Sequence, residues 1–210
     1  MTPDLKTDKL NTLAKIVSYI FHPLFIPVFG MAIIFSAPTL FEYLPYDIKK
    51  LLLLIILVNN VLLPLSLLPF FRYRNIISSW SVENRKERNI PLITTTILYF
   101  ATSYIVFRFP IPLFLKSFIF AAFFISFTVT IINFWWKISI HSVGMGSLTA
   151  LVLILSLKMN SPLLWHLISV IITAGLVLSS RLILNSHTPR QVWIGFLTGF
   201  LVLGLYMWFF

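Results

Sequence analysis

Between two long apolar runs, Ser180 to Gln191 gathers Arg181, His187 and Arg190 around the dipeptide Thr188-Pro189. Arg181 carries a planar fork of donors that matches phosphate oxygens. His187 can serve as a base or a nucleophile near neutral pH. Thr188 followed by Pro189 reads as an N-cap and a proline at the first helical position, so a helix opens just after the histidine. Such an end attracts anions through its free N–H groups and its dipole. Charged residues are only 10% of the chain, and cations kept beside hydrocarbon are costly enough to imply a task. The chemistry these residues point to is phosphate recognition at a membrane surface.

Two further polar stretches carry matching chemistry. Lys137-Ile138-Ser139-Ile140-His141 brings a second imidazole, with Ser139 two residues before it. The run from Glu83 to Pro91 supplies Arg85 and Arg88 as further anion-binding groups. Gln191 lies one helical turn after His187, where its amide can accept from a ring N–H and fix the tautomer. Lys137 follows two tryptophans and reads as a supporting cation that snorkels to the interface. Asn133, polar at depth, either braces the site or bridges two helices. The acidic residues near these stretches are Glu83 and Glu87, with Asp4 and Asp8 in the N-terminal tail. A carboxylate-held metal cluster is therefore not expected, nor any other metal or cofactor. His22 and His166 have no partner pattern and read as structural.

The elements that must position these groups are transmembrane helices. Hydrophobic residues are 59% of the 210, and the mean hydropathy is +0.95; a soluble surface cannot be made from what remains. Apolar spans occur at about 20–40, 51–71, 91–108, 113–136, 140–157, 162–182 and 190–210. The fold class is thus all-α, a polytopic helical bundle of six or seven crossings, with 140–157 the weakest because His141, Ser142, Gly144 and Gly146 make its start polar and small. Pro23, Pro27 and Pro64 imply kinks inside the first two spans. Residues 1–19 are polar and read as a surface-lying segment, followed by a single transmembrane domain over 20–210. Tryptophans 135, 136, 165, 193 and 208 sit near span ends, as interfacial anchors do. The net charge of +10 is spread over the ends of spans, which fits contact with anionic lipid headgroups and not nucleic acid. Cysteine is absent, so disulfides are excluded.

Seven crossings have a consequence of their own. Spans three, five and seven then begin on one membrane face, near Pro91, Ser139 and Pro189. Connectivity alone brings three positive helix ends, several arginines and His141 and His187 to that face.

With these residues in place, a family resemblance appears. Ser180-Arg181, five residues, His187, three residues and Gln191 resembles the third signature of the type 2 phosphatidic acid phosphatase (PAP2) superfamily, S-R-x5-H-x3-D. Ile138-Ser139-Ile140-His141 is similar to the second, P-S-G-H, keeping the serine and the histidine. Arg85, Arg88 and Pro91 stand in the order of the first, K-x6-R-P, at a different spacing. The resemblance spans about residues 85–200 and implies a PAP2-like helical core that hydrolyses a lipid phosphate or diphosphate without metal. It implies His187 as nucleophile forming a phosphohistidine and His141 as general acid. Arg181, Arg88, Arg85 and Ser139 would hold the phosphate oxygens. It further implies an anionic lipid phosphate as substrate and a multi-pass location, expected to be the bacterial inner membrane. The departures are Gln191 in place of aspartate, and Ile138 and Ile140 in place of proline and glycine. They raise an alternative, a non-catalytic relative that binds an anionic lipid as a scaffold or transporter component.

Overall fold

The structure is a computed structural model and describes residues 5–80, 82 and 84–210, with backbone only at 5–7. Asp4 and Glu83 lie outside the described residues. The described residues are helical without strands, in the order α1 (Leu5–Ile20), α2 (Ile26–Ser36), α3 (Tyr46–Leu57), α4 (Leu63–Tyr73), α5 (Asn89–Phe107), α6 (Leu113–Trp135), α7 (Ile140–Met159), α8 (Leu164–Ile183) and α9 (Pro189–Phe209). Among the described residues seven segments are long and apolar enough to cross a bilayer. The chain is a multi-pass membrane protein.

The first span begins earlier than its hydropathy implied. The candidate span Asp8–Ser36 takes in α1 as well as α2, and residues 8–19 of the segment read as surface-lying pack with the bundle. Its inner face packs against α8 and buries Ala14 and Ser18. The span is broken after Ile20. Pro23 has no N–H to continue α1 and holds His22 in an extended conformation, φ −63° and ψ 137°. A single 3-10 turn, Pro23–Phe25, then leads into α2.

The second span is also irregular. Between α3 and α4 a π-helical turn covers Val58–Leu62, just ahead of Pro64, whose missing N–H leaves a gap in the hydrogen-bond ladder. Asn60 Oδ1 accepts from the Thr102 hydroxyl at 2.6 Å and ties this turn to α5.

The weakest crossing in the sequence is the central helix of the bundle. For α7, 72% of the apolar window is buried, against 28–44% for the other spans. Ser142, Gly144, Gly146 and Ser147 are small, so neighbours can surround α7 at backbone distance. The closest neighbour is α9. A Cβ at Gly146 would meet the Phe196 carbonyl carbon at 2.9 Å, and one at Gly199 the Val143 carbonyl carbon at 2.7 Å. No side chain fits at either position, so the α7–α9 spacing is set by backbone against backbone. The two helix starts are joined as well, through Ser139 N–H to the Gln191 carbonyl at 3.4 Å.

Candidate functional site

His187 is placed by the turn that ends α8. Asn185 takes a left-handed φ of 51°, and Ser186 N–H reaches back to the Arg181 carbonyl at 3.2 Å, which closes the helix and turns the chain. Thr188 then caps α9 in a reciprocal capping box with Gln191. That box decides the chemistry of His187. Thr188 N–H donates to Gln191 Oε1 at 3.2 Å, so the atom at that position is the amide oxygen. His187 Nδ1, 3.0 Å from the same oxygen, must therefore be the protonated nitrogen. The lone pair is left on Nε2, in a ring only 7% exposed. Burial and the Arg88 guanidinium, with smaller contributions from Arg181 and Lys137, push the imidazole down to about 3 against the opposing effect of the Gln191 bond. His187 is neutral at physiological pH.

One cavity of about 240 Å³ gathers His187, His141, Arg88 and Arg181, residues from three separate stretches of sequence. Arg88 is 8% exposed and held by its Nε–H to the Val82 carbonyl at 2.7 Å. Arg181 Nη1 donates to the Ser18 hydroxyl at 3.2 Å. His141 Nε2 lies 3.2 Å from the Ser18 carbonyl, which can only accept, so this nitrogen carries a proton and Nδ1 is the variable one. The rest of the lining is largely apolar, with Leu92, Phe118, Ala122, Ile125 and Leu203 among hydroxyls from Thr95, Tyr99, Ser126 and Ser147. From Pro91 to Tyr99 on α5, both at the wall, the helical rise gives a depth of about 12 Å. That depth compares with about 15 Å for half of a hydrocarbon layer. None of the described residues lining the cavity is acidic. Among the described residues no group of three or more His, Asp or Glu side chains is placed to hold a metal ion.

No protein-family model, curated protein or solved structure matches the chain.

Two residues expected at the phosphate do other work. Arg85 is off the cavity wall. Its Nη1 donates to the Asn133 carbonyl at 2.8 Å and to the Phe134 carbonyl, carbonyls that the end of α6 leaves without helical partners. Asn133 answers with Nδ2–H to the Arg85 carbonyl at 3.0 Å and to Asn89 Oδ1 at 2.9 Å. Arg85 and Asn133 form a clamp that fixes the loop carrying Arg88. Ser139 is fully buried as the N-cap of α7, accepting from Ser142 N–H at 3.4 Å and the Ser142 hydroxyl at 2.8 Å. Its backbone has no glycine freedom, because Ile138 is fully buried and Ile140 forms part of the cavity wall. Lys137 is half-buried and acts on His187 through its charge.

Two residues at the site were not expected there, Ser18 and His22. His22 lines the cavity and packs edge-on against His141, ring centroids 5.7 Å apart. The signal lay in His22-Pro23 itself: a proline inside a membrane span frees backbone groups, and non-helical backbone at that depth is tolerated where it lines a cavity.

Proposed function

We propose that the protein is a membrane lipid phosphatase of PAP2 type, with His187 as its nucleophile. The observation that carries this reading is one cavity in which His141, His187 and two guanidinium groups share a wall with a largely apolar lining. A phosphate headgroup would be held by Arg88 and Arg181 while an acyl or prenyl chain lies against the apolar lining. His187 Nε2 attacks phosphorus and the bond to the lipid oxygen breaks. His141 serves as the acid once the bound phosphate anion has drawn a second proton onto it, at Nδ1; it gives that proton to the departing alkoxide and becomes neutral. Water then attacks the phosphohistidine, with His141 taking its proton, and inorganic phosphate leaves. The two guanidinium groups stabilise the charge that builds on the non-bridging oxygens. Gln191 supports the step through the tautomer it imposes on His187, without the negative charge that a carboxylate would add.

The test is phosphate release from dioleoyl phosphatidate and from polyprenyl phosphates by purified protein in detergent, with a chelator present. Release that disappears in His187→Ala supports the reading, and no release from any of these substrates refutes it. Gln191 favours a second reading, a protein that binds anionic lipid without turnover, since a neutral partner leaves His187 a weak base. Under that reading dioleoyl phosphatidate binds and no phosphate is released.

A further inference from the structure

The break in the first span packs beside His141 and Arg181 at the cavity wall, and the proposed phosphatase steps leave its histidine unused. His22 caps the 3-10 turn: its Nδ1 accepts the Leu24 N–H at 3.4 Å. An Nδ1 that accepts carries no proton, so His22 is the neutral Nε2–H tautomer. The Nε2–H is therefore a hydrogen-bond donor on a half-buried ring that lines the cavity. Four residues earlier, Ser18 contacts both of the other groups on this side. Its carbonyl accepts from His141 and its hydroxyl accepts from Arg181. The chain from Ser18 to His22 is thus joined to the cationic groups through one arginine and one histidine, and it adds a donor of its own.

We propose that this broken segment is part of the anion site, with His22 donating its Nε2–H to a phosphate oxygen and Ser18 holding His141 and Arg181 in register. The proposal rests on the cavity being a phosphate-headgroup site and extends it to a binding residue outside all three motif stretches. A neutral donor at this position suits a site that already holds two guanidinium groups. It adds a hydrogen bond to the anion without a further cation beside Arg181. The recognised chemistry is a phosphate monoester, which a lipid headgroup and free inorganic phosphate share.

The experiment measures binding to His187→Ala protein in detergent, with dioleoyl phosphatidate in one arm and inorganic phosphate in the other. His22→Phe keeps the ring and removes the donor. It is expected to weaken binding of dioleoyl phosphatidate about tenfold or more, the usual effect of losing a hydrogen bond to a charged group. His22→Gln restores an N–H at similar reach and is expected to stay within about threefold of the parent. His166→Phe, remote from the cavity, is expected to change nothing. Dioleoyl phosphatidate bound far more tightly than inorganic phosphate assigns the site to a lipid headgroup, and equal binding assigns it to the free ion. If the parent binds neither ligand, the cavity is not a phosphate site and the proposal falls with it. If the parent binds and His22→Phe binds equally, or if folded His22→Gln is as weak as His22→Phe, the role of His22 alone is overturned. Should His22→Phe fail to fold, 15N-histidine spectra of the parent decide. The His22 Nε2–H resonance is expected to move on adding dioleoyl phosphatidate, and a signal that stays in place overturns the proposal.

Discussion

Replacing Gln191 by glutamate is the most informative single change at the site. Glutamate has the same reach, and its carboxylate can accept from both Thr188 N–H and His187 Nδ1–H, so the capping box survives. A negative charge near the start of α9 also suits the helix dipole. What changes is a charge placed 3.0 Å from Nδ1. At an effective dielectric constant of about 20 the attraction to an imidazolium is about 5.5 kcal/mol, a ceiling of about 4 pKa units. Desolvation of the carboxylate and the spread of its charge reduce this to the 1–3 units typical of such pairs. The carboxylate favours the protonated ring, so the His187 pKa must rise. From about 3 it is expected to reach roughly 4–6. The rate of phosphate release needs the neutral ring, so its acidic limb is expected to move to higher pH by the same amount. At pH 7 the ring is still neutral and more basic, and turnover should increase. The assay is phosphate release from dioleoyl phosphatidate between pH 3 and pH 8, paired with 15N-histidine titration of the same protein. An acidic limb at or below that of the parent would refute both the Gln191–His187 hydrogen bond and the nucleophile assignment.

The remaining expectations concern placement and stability. Gly199→Ala puts a Cβ 2.7 Å from the Val143 carbonyl carbon, where ordinary contact begins near 3.4 Å. The carbonyl oxygen is closer still, so the α7–α9 pair must part by more than about 0.7 Å, and release of phosphate is expected to fall about tenfold or more, since misplacement by about 1 Å can cost a hundredfold. Unchanged kinetics in the folded variant would contradict the tight pairing. Arg88→Ala and Arg181→Ala are expected to weaken dioleoyl phosphatidate binding with modest effects on thermal unfolding. Arg85→Ala is expected to do the reverse, lowering stability by about 1–3 kcal/mol through the uncapped α6 carbonyls and leaving intrinsic affinity nearly unchanged. The midpoint of thermal unfolding and a lipid-binding isotherm on each variant separate the two patterns. Below pH 6.5 the unfolded chain takes up a proton at His187 that the folded chain refuses until about 3. This residue therefore makes stability fall as pH drops through that window. His187→Gln is expected to flatten that dependence in denaturation experiments.

Hydropathy made the helical class and the count of crossings legible, because a run of leucine, isoleucine and phenylalanine leaves no other means of satisfying the backbone. It ranked α7 last among the expected crossings for a reason in its composition. The small residues that weaken its hydropathy are those that let protein surround it in place of lipid. Connectivity foretold that stretches near Pro91, Ser139 and Pro189 share a face, and the cavity does receive Arg88, His141 and His187 from them. It could not tell Arg85 from Arg88. Three residues apart in one loop, one guanidinium meets helix-end carbonyls and the other meets the cavity, and only the packing of α6 decides which. Ser139 was legible as a polar group at a helix start, but its burial turns the hydroxyl inward to a cap. His22 was hidden because its partners are more than a hundred residues away in the chain.

At Gly146 and Gly199 helices α7 and α9 meet backbone to backbone, so they act as a fused joint. The imidazoles at their starts ride on one rigid body whose internal spacing has no soft degree of freedom. Whatever clearance a guest needs on entering must come from the chain packed around that pair, which is already jointed at Pro23 and at the π turn ahead of Pro64.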